Sequence, residues 1–255
     1  MSAEPAPQPR FSGLIPRAPD AAQTLSAREA LAGWRDEQGP LPRVALNMVA
    51  SVDGRIAVGG RSAPLSSPAD RALFHALRAE ADAVMAGART VRLERYGPII
   101  GNEQTRAQRV SEGLGEQPLA VIASRRVDLD PSLPLLADAG SRVVIITPSS
   151  RDLPPCAAQI DYVRAPTLRA GLAELAARHG VRTVLCEGGP TLNGALAAEG
   201  LIDELFLARS PLLVGDEPGG GALLEGHALE QPQRLQLRML LEAGGQLYTR
   251  YVRAD

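Results

Sequence analysis

The chain has 255 residues, a formal net charge of −2 and 27 basic residues, all of them arginine. The absence of lysine excludes a Walker A phosphate loop and Schiff-base lysine chemistry, and the near-neutral charge gives no electrostatic reason to expect nucleic acid as a partner. No apolar run is long enough to span a bilayer, and the N-terminus lacks the apolar segment of a signal peptide, so a cytoplasmic protein without a membrane partner is expected.

Metal chemistry is not indicated either. The two cysteines, Cys156 and Cys186, lack a C-x-x-C spacing and are interpreted as packing residues. The three histidines lie far apart and form no ligand motif, so we predict no metal site.

The first part of the chain is rich in Ala and Pro. We interpret residues 1–41 as an N-terminal extension, with one possible helix in the stretch 22–34 that Trp34 would attach to the body. From residue 42 the pattern changes, and 42–255 is predicted to be one folded domain.

The domain begins with a predicted central strand. Residues 44–51, V-A-L-N-M-V-A-S, are mostly apolar on both faces, as a buried strand requires. Asp53 and Gly54 follow as a turn signal. The charged residues directly after a buried strand are candidates for a site, and an ordinary Asp-Gly turn is the alternative.

A helix is predicted next. Ser67 suits the N-cap, Pro68 the first helical position and Asp70 the capping-box position, and the helix should run to about Glu80. Arg78 falls off the apolar stripe of this helix, where most arginines are solvated.

The middle of the chain alternates between strands and helices. A strand at 83–86 and the sequence G-A-R-T-V place Thr90 near the N-terminus of a second helix, and residues 94–117 are interpreted as a long loop. Further elements are predicted as strands at 119–123, 143–147 and 160–163, and a helix at 167–178 that ends before Gly180.

The most informative stretch is 183–196, T-V-L-C-E-G-G-P-T-L-N-G-A-L. A short strand ends at Glu187, two glycines allow a close backbone approach, and Pro190 opens a helix. The free N–H groups and dipole of that helix N-terminus suit a phosphate, and ligands of open α/β sheets bind at the carboxyl ends of strands. A strand-to-helix turn with an exposed acid is the alternative.

The C-terminal part is predicted to be mostly β-structure. Residues 204–215 are interpreted as a strand, and 235–242 with 246–252 as a hairpin. The alternation of strands and helices predicts one α/β domain with a largely parallel sheet and an antiparallel end.

Three motifs in this order carry a resemblance to a known family: N-M-V-A-S-V-D-G-R-I-A, S-S-P-A-D-R-A-L-F-H-A-L-R-A-E-A-D-A-V-M-A-G-A-R-T-V, and V-L-C-E-G-G-P-T-L-N-G-A-L followed by I-D-E-L-F-L. Together they resemble the reductase domain of the bifunctional deaminase-reductase of riboflavin biosynthesis, over residues 44–215. The resemblance implies a dihydrofolate-reductase-like α/β fold, with a mixed, mostly parallel sheet flanked by helices and a C-terminal antiparallel hairpin.

The resemblance also implies an activity. It implies NADPH as cofactor, a 5-amino-6-(5-phosphoribosylamino)uracil-type substrate whose ribosyl group is reduced to ribityl, and a homodimer. The zinc motifs of the family's deaminase half are absent, as expected of a stand-alone reductase. Two alternatives stay open: an NADPH-dependent reductase of a pterin or dihydrofolate, and a non-catalytic NADPH-binding relative.

Site roles follow from the resemblance only where residues match. Glu187 would face the substrate and stabilise a cationic imine at the ribose carbon that accepts hydride, with Asp53 as its partner. The substrate-binding residues would be Arg55, Ser62 and Arg78, of which Arg78 would grip the phosphate. Arg55 replaces a common Lys, and the S-A-P-L loop at Ser62 departs from the usual S-x-W-I. The cofactor-binding residues would be Ala50, Thr90, Glu94, Ser124, Gly188, Gly189, Pro190, Thr191, Leu192, Asn193, Gly194 and Ala195.

Overall fold

The computed structural model describes residues 11–15, 24–31, 34, 39–216 and 218–254. Within these residues the strands are β1 (Phe11–Ile15), β2 (Thr24–Leu25), β3 (Arg43–Ser51), β4 (Ala83–Gly87), β5 (Leu119–Ala123), β6 (Arg142–Thr147), β7 (Gln159–Arg164), β8 (Thr183–Cys186), β9 (Glu204–Ser210), β10 (Leu235–Ala243) and β11 (Gln246–Arg253). The α-helices are α1 (Pro68–Glu80), α2 (Ala88–Leu93), α3 (Glu103–Ser111), α4 (Pro134–Ala137), α5 (Leu168–His179) and α6 (Pro190–Ala198).

All described strands belong to one mixed sheet, in the order β2-β1-β10-β11-β9-β3-β8-β4-β5-β6-β7. The seven strands from β9 to β7 are parallel to one another, and the four at the other end are antiparallel. The predicted fold class, including the C-terminal hairpin, is therefore confirmed.

Helices cover both faces of the sheet. Leu73 and Leu77 of α1 lie in one apolar cluster. Leu172 of α5 and Leu196 of α6 lie in the other, on the opposite side of the central strands. Because β3, β8 and β4 are covered on both faces, their residues are almost continuously apolar, as parallel strands require.

Helix α1 begins as its sequence indicates. The hydroxyl of Ser67 accepts a hydrogen bond from the backbone N–H of Asp70 at 3.1 Å, and Pro68 occupies the first turn. The N-cap and the predicted end at Glu80 are both confirmed.

The N-terminal segment differs in part from the prediction, and residues 1–10, 16–23, 32–33 and 35–38 lie outside the described residues. Strand β1 pairs antiparallel with β10, so part of the predicted extension is built into the sheet. In the described part of 22–34, the possible helix is present as a single 3₁₀ turn at Glu29–Leu31. Trp34 is buried and packs edge-to-face on Phe206, with ring centroids 5.9 Å apart, so it does attach this segment to the body.

Two other segment boundaries need correction. Residues 94–117 are not one long loop, because α3 lies within them, capped by Asn102, whose side chain accepts from the N–H of Thr105. This helix is mostly polar but places the buried Arg109 against the C-terminal carbonyls of α1, including that of Ala79. Strand β9 ends at Ser210, five residues before the predicted end.

Candidate active site

A cleft of about 1590 Å³ lies along the carboxyl ends of the parallel strands. Its wall includes residues that end or directly follow β8, β4, β5 and β6, and side chains of α1. In open α/β sheets this edge is where ligands bind, because strand ends and helix N-termini meet there.

Glu187 follows β8 and is held by an arginine from α1. Arg78 donates from Nε to Oε1 and from Nη2 to Oε2 of Glu187, both at 2.6 Å, and its Nη1 donates to the carbonyl of Ile99 at 3.0 Å. The Glu187 side chain is only 2% exposed. Such bidentate, charge-assisted pairs are strong and fix the orientation of both planar groups.

Tyr96 completes this cluster, and sequence reasoning missed it. Its hydroxyl donates to Oε2 of Glu187 at 2.6 Å. Burial, followed by the nearby Glu187 charge, raises the pKa of Tyr96 well above its usual value, so the hydroxyl stays protonated and remains a donor. The sequence did not indicate Tyr96 as a site residue, because it lies in the stretch interpreted as a loop and no residue spacing relates it to Glu187.

Phe74 supports the arginine from the same helix. The guanidinium carbon of Arg78 lies 4.2 Å from the centroid of the Phe74 ring. Phe74 and Arg78 are four residues apart and therefore share one face of α1. Arg78 is therefore not a solvated surface arginine: its side chain is 14% exposed and has an aromatic face and an acid as partners.

The turn after Glu187 is built from two glycines in conformations that other residues resist. Gly188 has φ +93° and Gly189 has φ +87°. A Cβ on Gly189 would lie 2.8 Å from Oγ1 of Thr90, so the turn also needs the space. Helix α6 starts directly afterwards, and its first-turn N–H groups have no partner within the helix. This combination fits the diphosphate of a dinucleotide.

The structure brings many of the sequence-predicted site residues together. Eleven of them line the cleft: Ser62, Arg78, Thr90, Glu94, Ser124, Glu187, Gly189, Pro190, Thr191, Leu192 and Ala195. The six others are absent from the described wall: Ala50, Asp53, Arg55, Gly188, Asn193 and Gly194.

Asp53 is not placed beside Glu187 because its carboxylate is used elsewhere. It accepts hydrogen bonds from the Ser51 hydroxyl and from the backbone N–H groups of Val214 and Gly215. These bonds, that of Ser51 first, lower the pKa of Asp53 to about 2. Asp53 therefore fixes the turn after β3 against the segment after β9.

Arg55 lies in the same turn and donates to the carboxylate of Asp216 at 2.9 Å. Arg55 thus forms a surface ion pair. No described contact directs its guanidinium to the acid cluster.

Residues inside α6 support the site from behind. The side-chain amide of Asn193 donates to the carbonyl of Leu223 at 3.0 Å, and a Cβ on Gly194 would lie 2.2 Å from the carbonyl oxygen of Glu225. Both residues therefore hold the loop around 221–226 against α6. Ala50 is buried within β3.

The described residues contain neither a cluster of potential metal ligands nor a helix that could cross a membrane. Among them, no group of three potential metal-ligating side chains lies together. None of the helices in these ranges has the length and apolar character needed to cross a membrane.

The sheet order and the cleft define the class: an α/β protein with a mixed, mostly parallel sheet and a cleft at the carboxyl ends of its parallel strands. A pyrimidine reductase-like protein from Corynebacterium diphtheriae is similar in structure, with a TM-score of 0.75 at 21% identity over 91% of this chain and 100% of that one. Residues 42–254 match the model of the RibD C-terminal domain, and the chain belongs to that family.

Relatives of two kinds are similar in sequence. The 2,5-diamino-6-ribosylamino-4(3H)-pyrimidinone 5′-phosphate reductase of Methanothermobacter thermautotrophicus is 28% identical over 82% of this chain and 97% of its own length. The corresponding protein of Archaeoglobus fulgidus is 27% identical over 76% and 94%. The riboflavin biosynthesis protein RibD of Mycobacterium tuberculosis is 28% identical over 80% of this chain but 52% of its own length.

Proposed function

We propose that the chain is an NADPH-dependent reductase that converts the ribosyl group of a 5′-phosphorylated ribosylaminopyrimidine into a ribityl group, in riboflavin synthesis or a related pathway. The observation that carries this proposal is the cluster of Arg78, Glu187 and Tyr96, which shares one cleft with Gly189 and the first turn of α6. The named activity of the two archaeal relatives, which align over nearly their whole length, supports it.

The cofactor proposal rests on the glycine turn. NADPH supplies hydride from its nicotinamide ring when bound. The N–H groups of Thr191 and Leu192 would hold the diphosphate, with the Thr90 hydroxyl beside them. The cleft wall also carries more arginines than carboxylates, eight against six, and guanidinium groups suit phosphate-bearing ligands. Its arginines are Arg61, Arg71, Arg78, Arg89, Arg92, Arg95, Arg125 and Arg126.

Glu187 is held in place before substrate arrives. A carboxylate has about four acceptor positions. Arg78 and Tyr96 fill three of them, two on Oε2 and one on Oε1. Oε1 is therefore the atom that can still accept an N–H or O–H of the substrate, next to the carbon that receives hydride.

Arg78 can serve both the acid and a phosphate. Its guanidinium carries five N–H groups, and three of them bond to Glu187 and Ile99. One N–H on each Nη remains for a substrate phosphate. The proposed grip therefore does not require breaking the Arg78–Glu187 pair.

The assembly and compartment are also proposals. The resemblance favours a homodimer, and we propose the cytoplasm as its compartment. Val52, Leu212 and Leu213 are exposed by 58%, 43% and 83% and lie in segments joined by a hydrogen bond from the Val52 N–H to the Leu212 carbonyl. Such apolar side chains are candidates for the contact between two copies. Light scattering of the full chain should give twice the chain mass, and a monomer would contradict the dimer.

A turnover assay tests the proposed activity. The full chain is mixed with NADPH and, separately, with 5-amino-6-(5-phosphoribosylamino)uracil, its 2-amino counterpart or dihydrofolate, and oxidation of the nicotinamide is followed. Oxidation with a ribosylaminopyrimidine is expected. Oxidation with dihydrofolate alone would favour the pterin-type reductase, and NADPH binding without any oxidation would favour the non-catalytic relative.

A variant pair locates the chemistry. Glu187→Gln should lower kcat at least about 100-fold, because a preorganised charge beside the reacting carbon is lost, while the Kd of NADPH changes little. Glu103→Gln is the matched control, since Glu103 is exposed in the first turn of α3 and outside the cleft wall. Equal effects of Glu187→Gln on kcat and on NADPH binding would remove Glu187 from the chemistry.

A further inference from the structure

A carboxylate of α1 also lines the cleft and has no part in the chemistry above. Asp70 lies in the first turn of α1, and its side chain contributes to the cleft wall together with Phe74 and Arg78. The three residues are spaced by four, so they share one face of the helix. The helix thus presents an acid, an aromatic ring and a guanidinium in a row along the cleft.

The Asp70 carboxylate has spare acceptor capacity. Ser66 donates its hydroxyl to Oδ2 at 2.6 Å, and within the described residues no donor contacts Oδ1. Burial raises the pKa of Asp70, against the opposing effects of the Ser66 hydrogen bond and the Arg71 charge. A half-buried acid with an unfilled oxygen is costly unless a ligand supplies N–H donors.

We propose that Asp70 recognises the pyrimidine ring of the substrate and selects a 2-amino-4-oxopyrimidine over a uracil. The 2-amino group and the neighbouring ring N3–H are two adjacent donors on one edge of the ring, which match a carboxylate. A uracil presents a carbonyl oxygen in place of the 2-amino group, and this oxygen would face the carboxylate as a second acceptor. This inference rests on the proposed function and names the ring that the reductase prefers.

The spacing along α1 agrees with this assignment. Asp70 and Arg78 are eight residues apart, which is about 12 Å along a helix axis. A pyrimidine ring and its bond to the ribose carbon span about half of that distance, and a hydrogen bond of about 3 Å at each end accounts for most of the rest. With the ring edge at Asp70, the ribose carbon would lie near Glu187, which Arg78 binds. Phe74, between them, offers apolar contact to the ring.

The test compares two substrates in two variants of the full chain. Wild type should have a kcat/KM at least about 10-fold higher for the 2-amino substrate than for the uracil, because an unmatched buried hydrogen-bonding group is strongly penalised. Asp70→Asn places an amide donor in the same space, so it should lose at least about 10-fold on the 2-amino substrate and lose or reverse the preference. Glu103→Gln, another first-turn acid but outside the cleft, should leave the preference unchanged.

A binding measurement separates this proposal from the activity itself. Calorimetry with 2,5,6-triamino-4(3H)-pyrimidinone and with 5,6-diaminouracil needs no turnover. If no substrate is reduced but the triamino ring still binds more tightly, and Asp70→Asn abolishes the difference, the proposed function fails and the role of Asp70 stands. If Asp70→Asn weakens both rings equally, or leaves the preference intact while thermal unfolding shows a folded protein, the role of Asp70 is overturned.

Discussion

Replacing Gly189 by alanine tests the proposed cofactor turn directly. Gly189 has φ +87°, a conformation that costs a residue with a side chain about 1–3 kcal/mol. The new Cβ would also lie 2.8 Å from Oγ1 of Thr90, so the turn, α2 or the Thr90 side chain must shift. Displacing the first N–H groups of α6 should cost at least one charge-assisted hydrogen bond to the diphosphate, about 1.5–3 kcal/mol.

That loss corresponds to an NADPH Kd about 10- to 150-fold higher. Calorimetric titration of NADPH into the Gly189→Ala variant measures it, and urea unfolding measures the stability cost separately. Gly200→Ala is the matched control, because Gly200 has φ +63° just after α6 but nothing within 4 Å of an added Cβ. It should lose about 1–2 kcal/mol of stability and no NADPH affinity.

Thr90→Ala in the Gly189→Ala background refines the comparison. Removing Oγ1 relieves the short contact, so stability should partly return, while the strained φ and the lost hydroxyl keep the affinity low. If Gly189→Ala bound NADPH as tightly as Gly200→Ala, the diphosphate would not lie on this turn and the reasoning would be refuted.

Three further predictions concern groups outside the chemistry. The pKa of Asp53, lowered from 3.8 to about 2, gives a contribution to folding that is complete above the unfolded value and is lost as the pH falls from about 4 to 2. Urea unfolding across that range should therefore change less with pH in Asp53→Asn than in wild type, and parallel curves would contradict the pairing. Burial raises the pKa of the Cys186 thiol to about 12, so iodoacetamide should modify this thiol only after unfolding. Mass spectrometry of the native and the unfolded protein measures the modification, and rapid modification of the native protein would refute the burial of Cys186. Glu204 is fully buried and bonded to two arginines, so Glu204→Gln should cost about 3–5 kcal/mol in urea unfolding, and a loss below about 1 kcal/mol would show that the pair is dispensable.

Local signals in the sequence predicted much of this fold. The cap at Ser67 and Pro68, the helix stop at Gly180 and the hairpin turn at Gly244 each depend on a few neighbouring residues, and each is present. The Gly188-Gly189 turn was also predictable locally, because positive φ values favour glycine and two adjacent glycines therefore indicate such a turn.

Partnerships between distant residues were not predictable in this way. Arg78 and Glu187 are 109 positions apart, and neither residue type nor spacing indicates that they pair. Helix α3 was missed because its residues are mostly polar, and its one buried anchor, Arg109, is a residue that is rarely buried. Asp53 was expected to be the partner of Glu187. Its actual role, accepting hydrogen bonds from the N–H groups of Val214 and Gly215, depends on tertiary contacts that the local sequence does not indicate.

The acid at the end of β8 and the turn that follows it are consecutive in the backbone. Glu187, Gly188 and Gly189 are joined by two peptide bonds, while Arg78 and Tyr96 clamp the acid from one side and α6 begins on the other. Because Glu187 is held by these hydrogen bonds, the backbone of the two glycines that follow it can move little without moving Glu187. We therefore expect substrate bound at Glu187 to change the affinity of the glycine turn for NADPH, and NADPH to change the affinity for substrate by the same factor.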